Sequence, residues 1–284
     1  MYNHPLIKFT LFGETVKIYP YGICIAIGIL CCLAVFRFYT DRRKIDVKVQ
    51  DFMFFMAFFA IIIGFLSAKL FQAFYDYLAH PEAGFDFAGA GKTAMGGFVG
   101  GILGGVGLYF GVGHFYFRGK DKGLHLKYFL TIVTVAPLCI LIAHAFGRIG
   151  CLFAGCCHGK FLGTSYVFGG IFMEPGGSPS GYYVPIQLYE ALFLFVLFAV
   201  CTLLYYKNFT IIPQVYLVGY GVWRFIVEFL RTDYRGGAGF FSPSQVQSFI
   251  FIGAGILLFF VYKWLKISFR TKKNDCHFLE KDNR

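Results

Sequence analysis

The sequence predicts an all-α polytopic membrane protein with about seven transmembrane helices and a small extracytoplasmic head. Hydrophobic residues make up 57% of the 284 residues, charged residues only 14%, and the mean hydropathy is +0.64, above the range of soluble domains. Several stretches are nearly free of charge over the roughly 20 residues that cross a bilayer. The basic residues cluster between these stretches. We therefore expect a single integral-membrane domain over 1–284.

Each expected helix corresponds to one apolar run. The predicted spans are 21–36, 52–75, 94–113, 128–149, 187–206, 211–230 and 245–266. No small-residue cleavage site follows the first run, so we interpret it as a retained helix and not as a signal peptide.

Basic residues alternate between the loops and predict the orientation. They are frequent after the first and third spans and beyond the seventh, whereas the loop from Asp76 to Thr93 contains only Lys92. Because cytoplasmic loops are enriched in lysine and arginine, the N-terminus should lie outside and the C-terminus inside, with a basic cytoplasmic tail over 267–284. The formal net charge of +11 arises from these loops and does not indicate a nucleic-acid partner.

The segment 150–186 contains no clear span and is expected on the outer face as a head or lid. Its glycines are expected to interrupt any regular secondary structure. Loops of this length are usually functional, so a substrate can enter here. These glycines are Gly169, Gly170, Gly176, Gly177 and Gly181.

Ionisable residues inside the predicted spans suggest a functional site. A charge at the centre of a bilayer costs about 2.5–3.5 kcal/mol, so each one needs a partner or a function. His144 and Arg148 are four residues apart in the fourth span and share a helical face, from which both can point at one ligand. Tyr220, Arg224 and Glu228 form a similar polar stripe in the sixth span.

Gln187 and Glu190 place an amide and a carboxylate at the outer end of the fifth span. The guanidinium of arginine binds phosphate bidentately and stays charged when desolvated, so Arg148 and Arg224 suit a phospholipid headgroup. The carboxylates would then orient the arginines. The alternative is that these groups form ion pairs that only hold helices together.

Small residues are spaced by three and four in the third span, which contains Gly96 and Gly97. This spacing is typical of close helix packing. A surface lined by glycine can also let a lipid lie close to the backbone.

Three motifs resemble those of the prolipoprotein diacylglyceryl transferase family in order and spacing. They are Gly-Arg-Ile-Gly at 147–150, Gln-Leu-Tyr-Glu at 187–190, and the run Arg-Phe-Ile-Val-Glu-Phe-Leu-Arg at 224–231. The likeness extends from Tyr21 to Gln245. It implies a bacterial inner-membrane enzyme that moves a diacylglyceryl group from phosphatidylglycerol to the lipobox cysteine thiol of a prolipoprotein signal peptide. Glycerol phosphate is released, and no cofactor is implied.

The resemblance also implies residue roles. Arg148 and Arg224 would hold the phosphate, with Glu190 and Glu228 supporting them. The predicted catalytic residues are Arg148, Arg224, His144 and Glu228, and the predicted substrate-binding residues are Tyr21, Gly96, Gly97, Gln187, Glu190, Tyr220, Cys151 and Cys156.

The chain departs from the family where a proton acceptor is expected. Met95 occupies the position before the glycine pair of the third span, where the family usually has histidine. His144 and His158 are the candidate replacements, because imidazole accepts protons near neutral pH. For His144 the alternative is a buried histidine bonded to a neighbouring carbonyl.

The second departure is a cysteine-rich segment after the Gly-Arg-Ile-Gly motif. Cys151, Ala154 and Cys156 replace three polar residues of the family pattern, and Cys157 and His158 follow. The spacing matches no standard zinc or iron–sulfur motif, so no metal is predicted. A disulfide from Cys151 to Cys156 or Cys157, and a thiol that transiently carries a lipid or acyl group, both stay open.

Three functions are therefore compared. The first is a phospholipid-dependent transferase that acts on prolipoprotein or on another acceptor. The second is a phospholipid-binding or transport protein without that chemistry, and the third is a thiol-redox membrane protein. Arg224 and Glu228 favour the first two, whereas the cysteine cluster favours the third.

Overall fold

The described part of the chain folds into seven α-helices and two small antiparallel sheets. The computed structural model describes residues 5–11, 14–91, 93–175, 179–231 and 242–281. The helices are α1 (Pro20–Arg42), α2 (Val47–Ala79), α3 (Ala94–Tyr116), α4 (Leu124–Ala154), α5 (Ile186–Tyr206), α6 (Ile212–Glu228) and α7 (Pro243–Lys281).

Each predicted span overlaps one of these helices, and α2, α4 and α7 are longer than the spans predicted for them. Six of the described helices, α1 to α5 and α7, are long and apolar enough to cross a bilayer. With 17 residues, α6 is shorter than the other six. Phe55, Phe58 and Ile61 of α2 are exposed although they are large and apolar, as expected for side chains that face lipid. The chain is therefore a multi-pass membrane protein.

The chain divides into two compact units. One unit comprises Met1–Phe36 and Thr134–Arg284, and the other comprises Arg37–Val133. Helices α1 and α4 contribute to both units, because the division falls within them. We describe each unit by itself.

In the unit 37–133, glycines allow α2 and α3 to pack closely. A Cβ atom added at Gly97 would lie 3.2 Å from the Cβ of Ala68, and one added at Gly104 would lie 2.5 Å from a methyl carbon of Ile63. Side chains larger than glycine would push the helices apart. The packing role predicted for the small residues of the third span is confirmed.

A buried glutamine organises the turn between α1 and α2. Gln50 is 1% exposed, and its Oε1 accepts hydrogen bonds from Arg37 at 2.9 Å and Thr40 at 3.0 Å. Its Nε2 donates to Oδ1 of Asp41 and to the carbonyl of Ile45, each at 2.9 Å. All four hydrogen-bonding positions of the amide are thus used. This role of Gln50 was not predicted from the sequence.

Two small sheets lie in the unit formed by 1–36 and 134–284. Strands β1 (Ile7–Leu11) and β2 (Glu14–Ile18) form a hairpin before α1. Strands β3 (Phe161–Gly163), β4 (Ile171–Met173) and β5 (Gly181–Tyr183) form an antiparallel sheet in the order β3-β5-β4.

The expectation that glycines exclude regular structure from the head is wrong. Gly181 begins β5, where an added Cβ would lie 2.6 Å from the ring of Phe161 and 2.7 Å from the carbonyl oxygen of Gly163. Glycine is thus needed for strand pairing at this position. Gly176 and Gly177 lie outside the described residues.

Glycines also bring α1 and α4 together in this unit. A Cβ added at Gly150 would lie 3.1 Å from the ring of Tyr21 and 3.3 Å from the Cβ of Cys24. A Cβ added at Gly28 would lie 3.0 Å from the Cβ of Phe146. The helix that carries Arg148 is therefore fixed against the start of α1.

Candidate functional site

Glu190 is the centre of a buried polar cluster. It is 0% exposed, and its Oε1 lies 2.9 Å from NH2 of Arg148 and 3.7 Å from Nε2 of His144. The hydroxyl of Tyr220 donates to the same oxygen at 3.1 Å. His144 and Arg148 share a face of α4, as predicted. The partner that they share is a carboxylate of α5.

The second cluster joins α6 to the start of α7. Arg224 pairs with Oε2 of Glu228 at 2.9 Å, one helical turn away. The same guanidinium donates to Oγ of Ser244 at 2.6 Å, and Oγ of Ser242 donates to Oε1 of Glu228 at 2.8 Å. The two serines were not predicted, because a Ser-Pro-Ser run before a helix looks like an ordinary helix start.

Both arginines retain N–H groups that have no partner in the described part of the chain. Nε of Arg148 and NH1 of Arg224 are buried and make no hydrogen bond with any residue that the structure describes, and the same holds for Oε2 of Glu190. Leaving a buried donor unpaired costs about 1–3 kcal/mol, and more for a charged group. An anionic ligand that accepts hydrogen bonds would remove this cost.

Gln187 links α5 to the segment that follows α4. It is fully buried, and its Nε2 donates to the carbonyl of Cys156, while its Oε1 has no partner among the described residues. Gln187 precedes Glu190 by three residues, so one face of α5 contacts both the arginine of α4 and the turn beyond it. Its predicted role in binding substrate stays a prediction.

The end of α4 places three cysteines together. Gly155 has a φ of +68°, its N–H donates to the carbonyl of Leu152, and the N–H of Cys156 donates to the carbonyl of Cys151, both at 3.2 Å. This is a Schellman motif, and it turns the chain back over the last helical turn. The Sγ atoms of Cys151, Cys156 and Cys157 lie within 4.8 Å of one another, as free thiols.

The surroundings of Cys157 favour its thiolate. Hydrogen bonds from Cys151 and then Cys156, together with the charges of Arg148 and Arg231, hold the pKa of the Cys157 thiol below its ordinary value. The neighbouring His158 contacts the carbonyl of Gly159 through Nδ1 at 3.0 Å.

His144 is better placed than His158 to act on a substrate in the first cluster. The ring of His158 packs on Tyr183 in the head, with centroids 4.2 Å apart. His144 faces Glu190 and packs edge to face on Tyr220. The charged group that the structure places near the His144 ring is the Glu190 carboxylate, 3.7 Å from Nε2.

The remaining predicted residues occupy different settings. Tyr21 is 44% exposed on α1 and packs beside Gly150. Gly96 and Gly97 belong to the other unit and contact α2, where an added Cβ at Gly96 would meet Phe71 at 2.5 Å. The side chain of Met95 lies outside the described residues. Substrate binding by these residues stays a prediction.

Comparison with known proteins identifies the family of the chain. The family model for prolipoprotein diacylglyceryl transferase matches residues 7–261. The phosphatidylglycerol–prolipoprotein diacylglyceryl transferase of Clostridium tetani is 33% identical over 268 residues, which cover 92% of this chain and 98% of that protein. Transferase 2 of Clostridium perfringens is 31% identical over 89% of this chain and 93% of its own length. The family match covers both arginine clusters and the thiol segment, and the chain belongs to the prolipoprotein diacylglyceryl transferase family.

Proposed function

We propose that this protein transfers a diacylglyceryl group from phosphatidylglycerol to a prolipoprotein, the reaction that the names of its relatives describe. The observation that carries the proposal is the pair of arginines, Arg148 and Arg224, each with a buried N–H that has no partner among the described residues. The planar guanidinium of arginine binds phosphate through two parallel, charge-assisted hydrogen bonds.

The reaction is a displacement at C3 of the diacylated glycerol, the carbon that bears the phosphate. The thiol sulfur of the acceptor forms a bond to this carbon, and the carbon–oxygen bond to phosphate breaks with its electron pair on oxygen. Glycerol phosphate leaves, and the thiol proton passes to a base. Negative charge therefore grows on the phosphate oxygens in the transition state.

Arg148 and Arg224 suit the stabilisation of this charge. Their side chains are only 17% and 5% exposed, so water screens them little. Glu190 and Glu228 hold the two guanidinium groups in place through ion pairs of 2.9 Å. Because the carboxylates preorganise the arginines, little reorganisation is needed when the leaving group departs.

His144 is our candidate for the proton acceptor. Its Nε2 faces Oε1 of Glu190 at 3.7 Å, and its side chain is 26% exposed, so a substrate or water can reach the ring. A carboxylate next to an imidazole orients the ring, and the neutral imidazole is the form that accepts a proton. Tyr220 donates to the same carboxylate and keeps it in position.

The acceptor in this proposal is the lipobox cysteine of a signal peptide. The enzyme would lie in a bacterial inner membrane with its N-terminus outside, since the basic loops predict that orientation. The thiol segment and the β3-β5-β4 sheet of the head would then face the outer side, where the signal peptide of an exported protein ends.

The direct test is transfer of label from phosphatidylglycerol, labelled in its diacylglyceryl glycerol, to a synthetic lipobox peptide by the purified protein. Arg148→Ala and Arg224→Ala should each remove transfer, whereas Arg118→Ala, which alters a cation in the other unit, should not. No transfer by wild-type protein that binds phosphatidylglycerol vesicles would contradict the proposal and favour another acceptor or binding alone.

A further inference from the structure

The thiols of Cys151, Cys156 and Cys157 form a cluster. Neither the ion pairs of the arginines nor substrate binding by the arginines requires these thiols. All three Sγ atoms lie within 4.8 Å of one another. A zinc ion bound at about 2.3 Å from each sulfur in tetrahedral geometry places two sulfur ligands about 3.8 Å apart. The three thiols are thus close to the separation that one ion imposes.

We propose that Cys151, Cys156 and Cys157 bind one Zn²⁺ ion as a three-thiolate site with its fourth coordination position open. Three protein ligands and one exchangeable position are the pattern of reactive zinc sites, whereas structural zinc sites use four protein ligands. Iron–sulfur clusters also take four cysteine ligands as a rule, so three thiols fit them poorly.

The backbone explains how an unusual spacing makes this cluster. Standard zinc motifs are recognised by the spacing of their ligands along the chain, and these cysteines do not have that spacing. The Schellman motif at Gly155 nevertheless brings them together in space. The turn stacks Cys156 over Cys151, and the left-handed backbone of Cys157, with a φ of +60°, directs the next thiol to the same place. Gln187 holds this turn from α5 through the carbonyl of Cys156.

Charge and exposure also fit an ion. Three thiolates and Zn²⁺ carry a net charge of about −1, and the cation Arg148 lies three residues before Cys151 on α4. Cys156 is exposed and the other two thiols are half-buried, so an ion and a fourth ligand can reach the site. Binding releases the protons that the three cysteines still carry and involves no change of oxidation state.

The open position suits a thiol, and this step rests on the proposed function. The acceptor cysteine would replace water on the zinc ion, its proton would pass to a base, and the bound sulfur would stay a thiolate ready to attack carbon. A zinc-bound thiolate would thus supply the nucleophile of the transfer.

The site is tested by metal analysis of the reduced full-length protein, purified without chelators. We expect about one zinc per chain, and a thiolate-to-cobalt charge-transfer absorption after exchange with Co²⁺. Cys156→Ser should reduce bound zinc at least tenfold, whereas Cys31→Ala, a half-buried thiol of α1, should retain it. The Co²⁺ spectrum of the wild-type protein tests the site even where a variant fails to fold.

Three results would overturn the proposal. The first is wild-type protein that contains no zinc and shows no charge-transfer absorption. The second is stoichiometric copper in place of zinc. The third is a disulfide between cysteines of the cluster when the protein is alkylated directly in cells.

The fourth position is tested separately on the cobalt protein. A lipobox peptide should raise the charge-transfer absorption, and the same peptide with serine in place of cysteine should not. An unchanged spectrum would reject the role in binding the acceptor and leave the metal site standing. If the lipobox peptide changes the cobalt spectrum but receives no diacylglyceryl group, the metal site is supported and the proposed function is wrong.

Discussion

The carboxylate of Glu190 and the guanidinium of Arg148 form a buried ion pair, with 2.9 Å between Oε1 and NH2. The pair joins α5 to α4, and the same oxygen receives the hydroxyl of Tyr220. Because Glu190 is fully buried, its charge depends on these partners, and the position of Arg148 depends on Glu190.

Glu190→Gln should therefore impair both folding and transfer. The substitution keeps the side-chain shape but leaves the charge of Arg148 uncompensated, which costs about 3–5 kcal/mol for a buried pair. We expect a lower midpoint of thermal unfolding, measured in detergent by light scattering. We also expect the rate of transfer to fall about 100-fold. The control is Glu82→Gln, an exposed carboxylate that is 76% accessible. Equal behaviour of the two variants would contradict the central role of Glu190.

Ser244→Ala should weaken transfer by misplacing Arg224. The serine hydroxyl accepts a hydrogen bond from this buried guanidinium at 2.6 Å. Loss of a hydrogen bond to a charged group costs about 1.5–3 kcal/mol, so we expect activity to fall by about tenfold or more. Ser248→Ala is the matched control, because the Ser248 hydroxyl donates to the backbone of its own helix. The comparison uses initial rates at saturating phosphatidylglycerol, and equal rates would argue against this contact.

Tyr220→Phe should have a smaller effect. It removes one of three contacts to Oε1 of Glu190 and keeps the ring, which stacks on Tyr216. We expect a loss of about 1 kcal/mol in stability and a few-fold loss in rate. Tyr189→Phe removes an exposed and longer bond, 3.3 Å to the carbonyl of Gly169, and should change neither. Complete loss of activity in Tyr220→Phe would instead make the hydroxyl a reacting group.

Gly104→Ala should destabilise the pair of helices α2 and α3. The added methyl group would lie 2.5 Å from the branched side chain of Ile63, and overpacking of this kind costs about 1–3 kcal/mol. Gly107→Ala is the control on the same helix, because nothing lies within 4 Å of its added Cβ. Thermal unfolding in detergent distinguishes the two variants. Equal midpoints for Gly104→Ala and Gly107→Ala would show that the interface between α2 and α3 accommodates the added methyl group.

Composition and local sequence pattern were sufficient to predict the helical membrane architecture and most of the polar residues of the site. Apolar runs of bilayer length identify the helices, because a lipid environment requires backbone hydrogen bonds to be satisfied within each segment. The helical period places His144 beside Arg148 and Arg224 beside Glu228, since residues four apart share a face. Both relationships are local, and the structure retains both.

The tertiary structure alone decided which groups meet across helices. The sequence predicts that the carboxylates support the arginines, but it does not say that Glu190 pairs with Arg148. That contact, and the one between Ser244 and Arg224, depend on how α4, α5, α6 and α7 pack. The sheet of the head depends in the same way on pairing between distant strands. The three thiols meet through a left-handed glycine and a turn, and spacing along the chain does not report this geometry. A helical period fixes neighbours within one helix, whereas partners between helices are fixed by long-range packing.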